Sequence, residues 1–223
     1  MFARTREAWH AVAEHVLAAA RYAAEGRIGL AAAPGGFGIP PESACTPTRV
    51  AGQDLLVRDG AAERSERLTT VAAAAAALGI EPGSPPVYAR ATALEPHARL
   101  DIDLHAARAI ASWFELVWSV LIGFGGTVTL WPEHFDVATT IGDESRGRRG
   151  TYGASPGDAD HPEPYLYVTH WADVPDDAYW NDDAFGGASL GYEGVADAAD
   201  PVEAATAFFG AGRALIMQGR AGS

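Results

Sequence analysis

The 223-residue chain contains no lysine, and all sixteen of its basic residues are arginine. Alanine is abundant, as in the run from Ala72 to Ala77, so high-GC codon usage explains the bias better than selection for guanidinium chemistry does. There is one cysteine, Cys45, which excludes an intramolecular disulfide and fits a reducing, cytoplasmic setting. No apolar signal core follows Met1. Residues 2–7 lead into an amphipathic pattern, so no secretory peptide is expected. Nor is there an uninterrupted membrane-length apolar run. The nearest, Ala106 to Gly126, contains Arg108 and Glu115, ends in Gly123-Phe124-Gly125-Gly126 and has helical apolar spacing, so it reads as a buried helix.

Positive charge is missing from one region altogether. Between Arg149 and Arg213 there is no basic residue, while twelve of the acids behind the net charge of −13 lie there. Such a surface repels phosphate backbones, and no arginine stripe with interleaved aromatics compensates, which disfavours nucleic acid as a partner. A cation or a basic partner would be attracted. Solvated loops that keep the chain soluble are the plainer expectation for most of these acids.

What is present patterns as an α+β fold, a mostly antiparallel sheet with helices on one face. A helix is expected near Thr5 to Glu25, with Trp9, Val12, Val16 and Leu17 on its buried stripe and Gly26 ending it. The Gly/Pro segment 34–41 reads as a loop, and residues 48–68 read as a meander turning at Gly52-Gln53 and Asp59-Gly60. Thr69 or Thr70 caps a short alanine helix ending at Gly79, and Glu81 to Arg99 is an extended connector. Asp103 caps a second long helix, Val128 to Thr139 reads as one strand with Pro132 placing it at an edge, and Tyr165 to Thr169 as another. Asp200, Pro201 and Glu203 announce a final helix with Val202, Phe208, Phe209 and Ile216 on its core face. Residues 1–223 thus read as a single globular domain, and two similar cycles, 1–100 and 101–223, are consistent with an internal duplication.

Several short segments carry a family resemblance. They are Leu68-Thr69-Thr70-Val71 with Leu78-Gly79-Ile80, residues 131–138 around Phe135-Asp136, the loop Tyr152 to Gly157, and Pro162 to Tyr167. In these the chain resembles a family of uncharacterised bacterial proteins, mainly actinobacterial, that share a domain of unknown function. Ala154 departs from the phenylalanine usual there. The resemblance covers about residues 28–217 and implies a shared architecture; it brings no activity with it.

The best candidate site lies within residues 131–167. If 128–139 is a strand, alternation puts His134 and Asp136 on one face, two residues apart. The loop Asp158-Ala159-Asp160-His161-Pro162-Glu163 supplies further donors if it folds over that strand. His134 and Asp136 are then candidate catalytic residues, as general acid and base. His134, Asp136, Asp158, Asp160, His161 and Glu163 together are candidate ligands for a divalent metal ion. Two histidines with carboxylates suit zinc, manganese or non-haem iron, whereas carboxylates alone suit calcium or magnesium. No established metal-binding spacing accompanies them, and Asp136 and Asp158 holding loop amides is the plainer alternative. His10, Glu14 and His15 read as a solvated helix face. The function expected is a small-molecule enzyme or metal-binding protein, with no membrane partner and with self-association open. The alternative is a non-catalytic interaction protein whose acidic surface docks a basic partner.

Overall fold

The computed structural model describes residues 1–219. The fold is α+β, with antiparallel sheets and helices. The chain forms two compact units, Met1–Glu115 with Thr129–Phe135, and Leu116–Val128 with the chain from Asp136 onward.

In the first unit the N-terminal helix is continuous but not uniform. α1 (Phe2–Val12) passes into a π-helical segment (Ala13–Ala18), and α2 (Ala19–Glu25) completes it. Gly26 closes the helix in the left-handed region, φ 67°, as the sequence predicts. Trp9, Val12, Val16 and Leu17 are fully buried on the expected stripe. The solvated face expected at Glu14 and His15 is not there, since both are 0% exposed. The polar side of the helix is covered by the irregular connector, whose Ala91 and Thr92 amides bond to Glu14.

The first sheet is a meander of β1 (Ala31–Ala33), β2 (Gly36–Gly38), β3 (Thr48–Ala51), β4 (Asp54–Asp59) and β5 (Ala62–Arg67), each antiparallel to its neighbour. β2 corrects the loop expected at 34–41. Its glycines serve close approach rather than a turn, because a Cβ on Gly36 would meet the Val50 carbonyl oxygen and one on Gly38 the Thr48 carbonyl oxygen. The turn is made by Pro34-Gly35, with Gly35 at φ 78°. Thr70 caps α3 (Val71–Ala77) by accepting from the Ala73 amide. The connector that follows has no helix or strand until α4 (Leu104–Phe124), which Asp103 caps through the Ala106 amide at 2.9 Å.

Among the described residues α4 is the one helix long and apolar enough to cross a membrane by length and composition. It is two-faced. Ile110, Trp113, Phe114, Val117 and Leu121 are at most 3% exposed, while Arg108 and Glu115 face outward.

The single strand expected over 128–139 is two. β6 (Thr129–Trp131) belongs to the first unit, where Leu130 bridges to Leu30, and β7 (Asp136–Asp143) to the second. A turn over 132–135 separates them, closed by the Phe135 amide on the Trp131 carbonyl at 2.7 Å. Phe135 adopts φ 53°, costly for a bulky residue. Its ring is 1% exposed and lies against His10, Phe37 and Phe114, and that burial holds it in place.

In the second unit β7 pairs with β8 (Arg148–Ser155), β8 with β9 (Tyr165–His170), and β9 with β10 (Ala188–Gly191), all antiparallel. β8, β10 and α5 (Tyr192–Ala196) are absent from the sequence reading, which left the stretch that forms β8 as loop. α6 (Pro201–Gln218) packs on β8 and β9, with Phe209 and Ile216 buried as expected. Asp200 caps it through the Val202 and Glu203 amides, but Val202 points outward at 47% exposure.

Candidate functional site

On β9, alternation sends Tyr165 and Tyr167 to the same face. Tyr167 lies opposite Gly153 of β8, where a Cβ would come within 2.5 Å of the tyrosine ring. The missing side chain lets the ring lie across the sheet, and its hydroxyl donates to Asp136 at the start of β7. Asp136 is 6% exposed. Burial, then the neighbouring Asp136 charge, raises the Tyr167 pKa well above the ordinary phenol range, so this hydroxyl stays a donor.

Tyr165 donates to Asp158 Oδ2 at 2.6 Å. Asp158 Oδ1 accepts the amides of Asp160 at 2.9 Å and His161 at 2.8 Å, an Asx turn that shapes the loop. Burial pushes the Asp158 pKa up, but these hydrogen bonds outweigh it and leave the carboxyl below its ordinary value. Asp158 thus holds loop amides as the plainer reading above has it, whereas Asp136 accepts from the Tyr167 hydroxyl instead.

The same turn presents His161. Its Nε2 lies 2.9 Å from Asp182 Oδ2, while Nδ1 is 3.9 Å from Asp158 Oδ1, too far for a hydrogen bond. The Asp182 side chain is 6% exposed and is fixed from its own loop by the Ala184 amide, 3.1 Å from Oδ1. Paired backbone bonds between Asp182 and Gly187 close that loop. It also carries Phe185, whose ring stands 6.2 Å from His161 and 6.1 Å from Tyr167, with Tyr165 4.4 Å from His161 on another side. The result is a partly exposed imidazole, set 2.9 Å from a buried carboxylate and flanked by two aromatic rings, Tyr165 and Phe185.

Three of the predicted residues, Asp136, Asp158 and His161, thus join one hydrogen-bonded and aromatic network. Asp160 and Glu163 are exposed on its loop. His134 is exposed in the 132–135 turn of the first unit, so the strand alternation that paired it with Asp136 does not apply. Among the described residues no three His, Cys, Asp or Glu side chains form a group that could hold a metal ion. Asp182 and Phe185 were missed, because nothing in the sequence separates Asp182 from the exposed Asp183 beside it. The short return Asp182-Asp183-Ala184-Phe185-Gly186-Gly187, with its glycines, is the one signal that could have marked a tight loop.

A second polar cluster lies in the first unit, on the helix expected to be solvated. Glu14 Oε1 accepts the Ala91 amide at 2.9 Å, and Oε2 accepts the Thr92 amide and hydroxyl at 2.8 and 2.7 Å. The Thr92 hydroxyl also lies 2.8 Å from His15 Nε2. One turn earlier, His10 Nε2 lies 2.8 Å from the Pro132 carbonyl. Desolvation takes the His10 pKa down to about 4 and lowers that of His15, while it raises Glu133 and Tyr88. Glu14 and His15, adjacent in the π-helical segment, both reach Thr92. Compared with protein-family models, curated proteins and solved structures, the chain gives no match.

Proposed function

We infer that the second unit carries an acid–base site for a small molecule, centred on His161. The observation that carries this is the 2.9 Å contact between His161 Nε2 and the buried Asp182 carboxylate. The Asp182 charge beside Nε2 favours the ring hydrogen there, and Nδ1 then keeps the lone pair that would take a proton from a substrate. Asp182 is a positioning residue that fixes the ring and its tautomer. Tyr165 and Phe185 form apolar walls, Tyr167 packs against both, and Asp136 and Asp158 hold the two tyrosines. With no basic residue between Arg149 and Arg213, a neutral or cationic substrate suits the site and a phosphorylated one does not.

The single free cysteine agrees with a cytoplasmic setting. Membership of the actinobacterial family stays a proposal resting on the short motifs quoted above.

The test is turnover of a panel of enolisable ketones, esters and amides by the wild type, His161→Ala and Asp182→Asn. Loss of general-base help is expected to slow reaction by about 10²- to 10⁴-fold in His161→Ala. Asp182→Asn should slow it less and shift the His161 tautomer seen in the ring nitrogen NMR signals. Turnover that survives His161→Ala, or no turnover of any class, counts against the assignment.

A further inference from the structure

The outer edge of the first sheet is open. β5 is its last strand, bonded to β4 on one side, and no strand among the described residues pairs with the other. All residues from Ala62 to Arg67 are exposed. The Leu68 amide donates to the Gln53 carbonyl at 2.9 Å, one step beyond the Asp54–Arg67 pair. Antiparallel bonds alternate along a strand, so residues 62, 64 and 66 turn their backbone groups to β4. Glu63, Ser65 and Arg67 turn theirs outward. A free edge of this kind is a template for another strand.

The charges on β5 decide which strand fits. After Ala62 it reads Glu63-Arg64-Ser65-Glu66-Arg67. Laid antiparallel against itself with Ser65 on a two-fold axis, it puts Glu63 opposite Arg67 and Arg64 opposite Glu66 on both sides of the axis. Every charged residue then meets its opposite. This register also brings outward backbone groups face to face. Ser65 with Ser65, and Glu63 with Arg67, become the pairs that exchange N–H···O bonds. Moving the axis to residue 64 or 66 sets Arg64 on Arg64 or Glu66 on Glu66. A slip of one residue opposes outward groups to inward ones. Charges on an edge strand ordinarily deter pairing; this order deters these alternatives and favours one register.

We propose that β5 is the surface through which two copies of this chain associate, by a two-fold strand addition that joins their first sheets into one. Within one chain the same side chains make loose surface pairs. Arg64 lies 3.4 Å from Glu66, Arg67 3.7 Å from Asp54, and Glu63 3.5 Å from Arg49 and 3.9 Å from Arg58. Such exposed pairs hold weakly, so contacts across the axis can replace them at little cost. The Ala77 carbonyl at the end of α3 accepts from Arg64, and the Gln53 side chain accepts from Arg67, which steadies both guanidinium groups beside the edge. His161 and Asp182 lie in the second unit, so the outcome here does not bear on their site.

The experiment is sedimentation equilibrium of the full chain from about 1 μM to about 1 mM, a span that brackets a weak contact. The wild type should climb from the 23.3 kDa of one chain toward twice that mass. Glu63→Arg with Glu66→Arg makes the strand wholly basic, and Arg64→Glu with Arg67→Glu makes it wholly acidic. Each double variant should associate at least about tenfold more weakly than the wild type, while an equimolar mixture of the two restores dimers. A wild type that stays monomeric throughout overturns the proposal. So does association that both double variants keep, which places the contact on another surface, and so does a mixture that fails to recover. Far-UV dichroism checks that each variant keeps the fold. Should either unfold, oxidative cross-linking decides, because Ser65 on the axis comes within disulfide reach of its copy. Ser65→Cys with Cys45→Ser should give a disulfide dimer, and Ala61→Cys with Cys45→Ser, at the β4–β5 turn, should not. Equal cross-linking of the two, or none in either, overturns the proposal.

Discussion

Replacing His10 by glutamine should flatten the response of the protein to acid. His10 donates from Nε2 to the Pro132 carbonyl, stacks 5.2 Å from Phe135, and is held to a pKa of about 4 against an ordinary 6.5. Desolvation is the main cause; Glu14 opposes it, and His15 and His134 add to it. The folded-state pKa is lowered, so above pH 6.5 neither state binds the proton and the full stability is present. As pH falls below 6.5 the unfolded chain takes up a proton that the folded one refuses, and stability is lost until the folded pKa is reached. The whole window is worth about 3 kcal/mol, and about 2.5 kcal/mol of it is gone by pH 4.5. Glutamine keeps a donor for Pro132 but cannot titrate, and it forfeits a ring contact worth about 1 kcal/mol. The variant should therefore be the less stable at pH 7.5 and the more stable at pH 4.5, with the curves crossing near about pH 5.8. Urea unfolding followed by far-UV dichroism at fixed ionic strength measures this directly. Parallel loss in the two proteins from pH 7.5 to 4.5 would refute the assignment of a buried neutral His10.

Three further outcomes follow from the second unit. Gly153→Ala puts a methyl group against the Tyr167 ring and should cost about 1–3 kcal/mol while breaking the Tyr167–Asp136 bond, read by thermal melting and tyrosine absorbance. Asp200→Ala removes the acceptor for the Val202 and Glu203 amides and should cost about 1 kcal/mol in urea unfolding. Exchanging the exposed Asp176, Asp177 and Asp183 for asparagine should leave stability within about 0.5 kcal/mol, whereas Asp182→Asn alone should cost about 1–3 kcal/mol. If the acidic surface docks a basic partner or a second copy, only the triple exchange weakens that association in sedimentation.

Local signals were legible and distant ones were not. Gly26, Thr70, Asp103 and Asp200 each end or cap a helix through bonds within a few residues, and the 48–68 meander announces its own turns. β2 was lost because two of its three residues are glycine and carry no alternation to read. The 132–135 turn was lost because apolar residues on both sides imitate one strand, and the left-handed Phe135 that breaks it is not a glycine. Of the candidate site, Asp136, Asp158 and His161 were found from residue type and proximity. Asp182 becomes special only when its loop folds back on His161, 21 residues earlier in the chain. Glu14 and His15 were misread for a similar reason. A 3.6-residue period cannot show a π segment, and the partner that buries them, Thr92, is 77 or 78 residues away.

Glu14 separates a carboxylate that merely tolerates burial from one that holds the connector in place. Both of its oxygens are used, Oε1 by the Ala91 amide and Oε2 by the Thr92 amide and hydroxyl. Glutamine has the same shape but only one oxygen. Whichever way the carboxamide is turned, its NH₂ group faces a backbone N–H or the Thr92 donors, and a buried donor without an acceptor costs about 1–3 kcal/mol. Because Ala91 and Thr92 lie on irregular chain, that cost should appear first as local opening, with amide exchange at these two positions faster by about 10- to 100-fold. Faster exchange at Ala91 and Thr92, with the meander amides of Val50 and Leu55 unchanged, is the result expected of Glu14→Gln in native-state hydrogen exchange. A uniform rise in exchange across the unit would instead mean that Glu14 supports the helix as a whole. The π turn would then have a packing role and not one of presenting adjacent residues to the same segment.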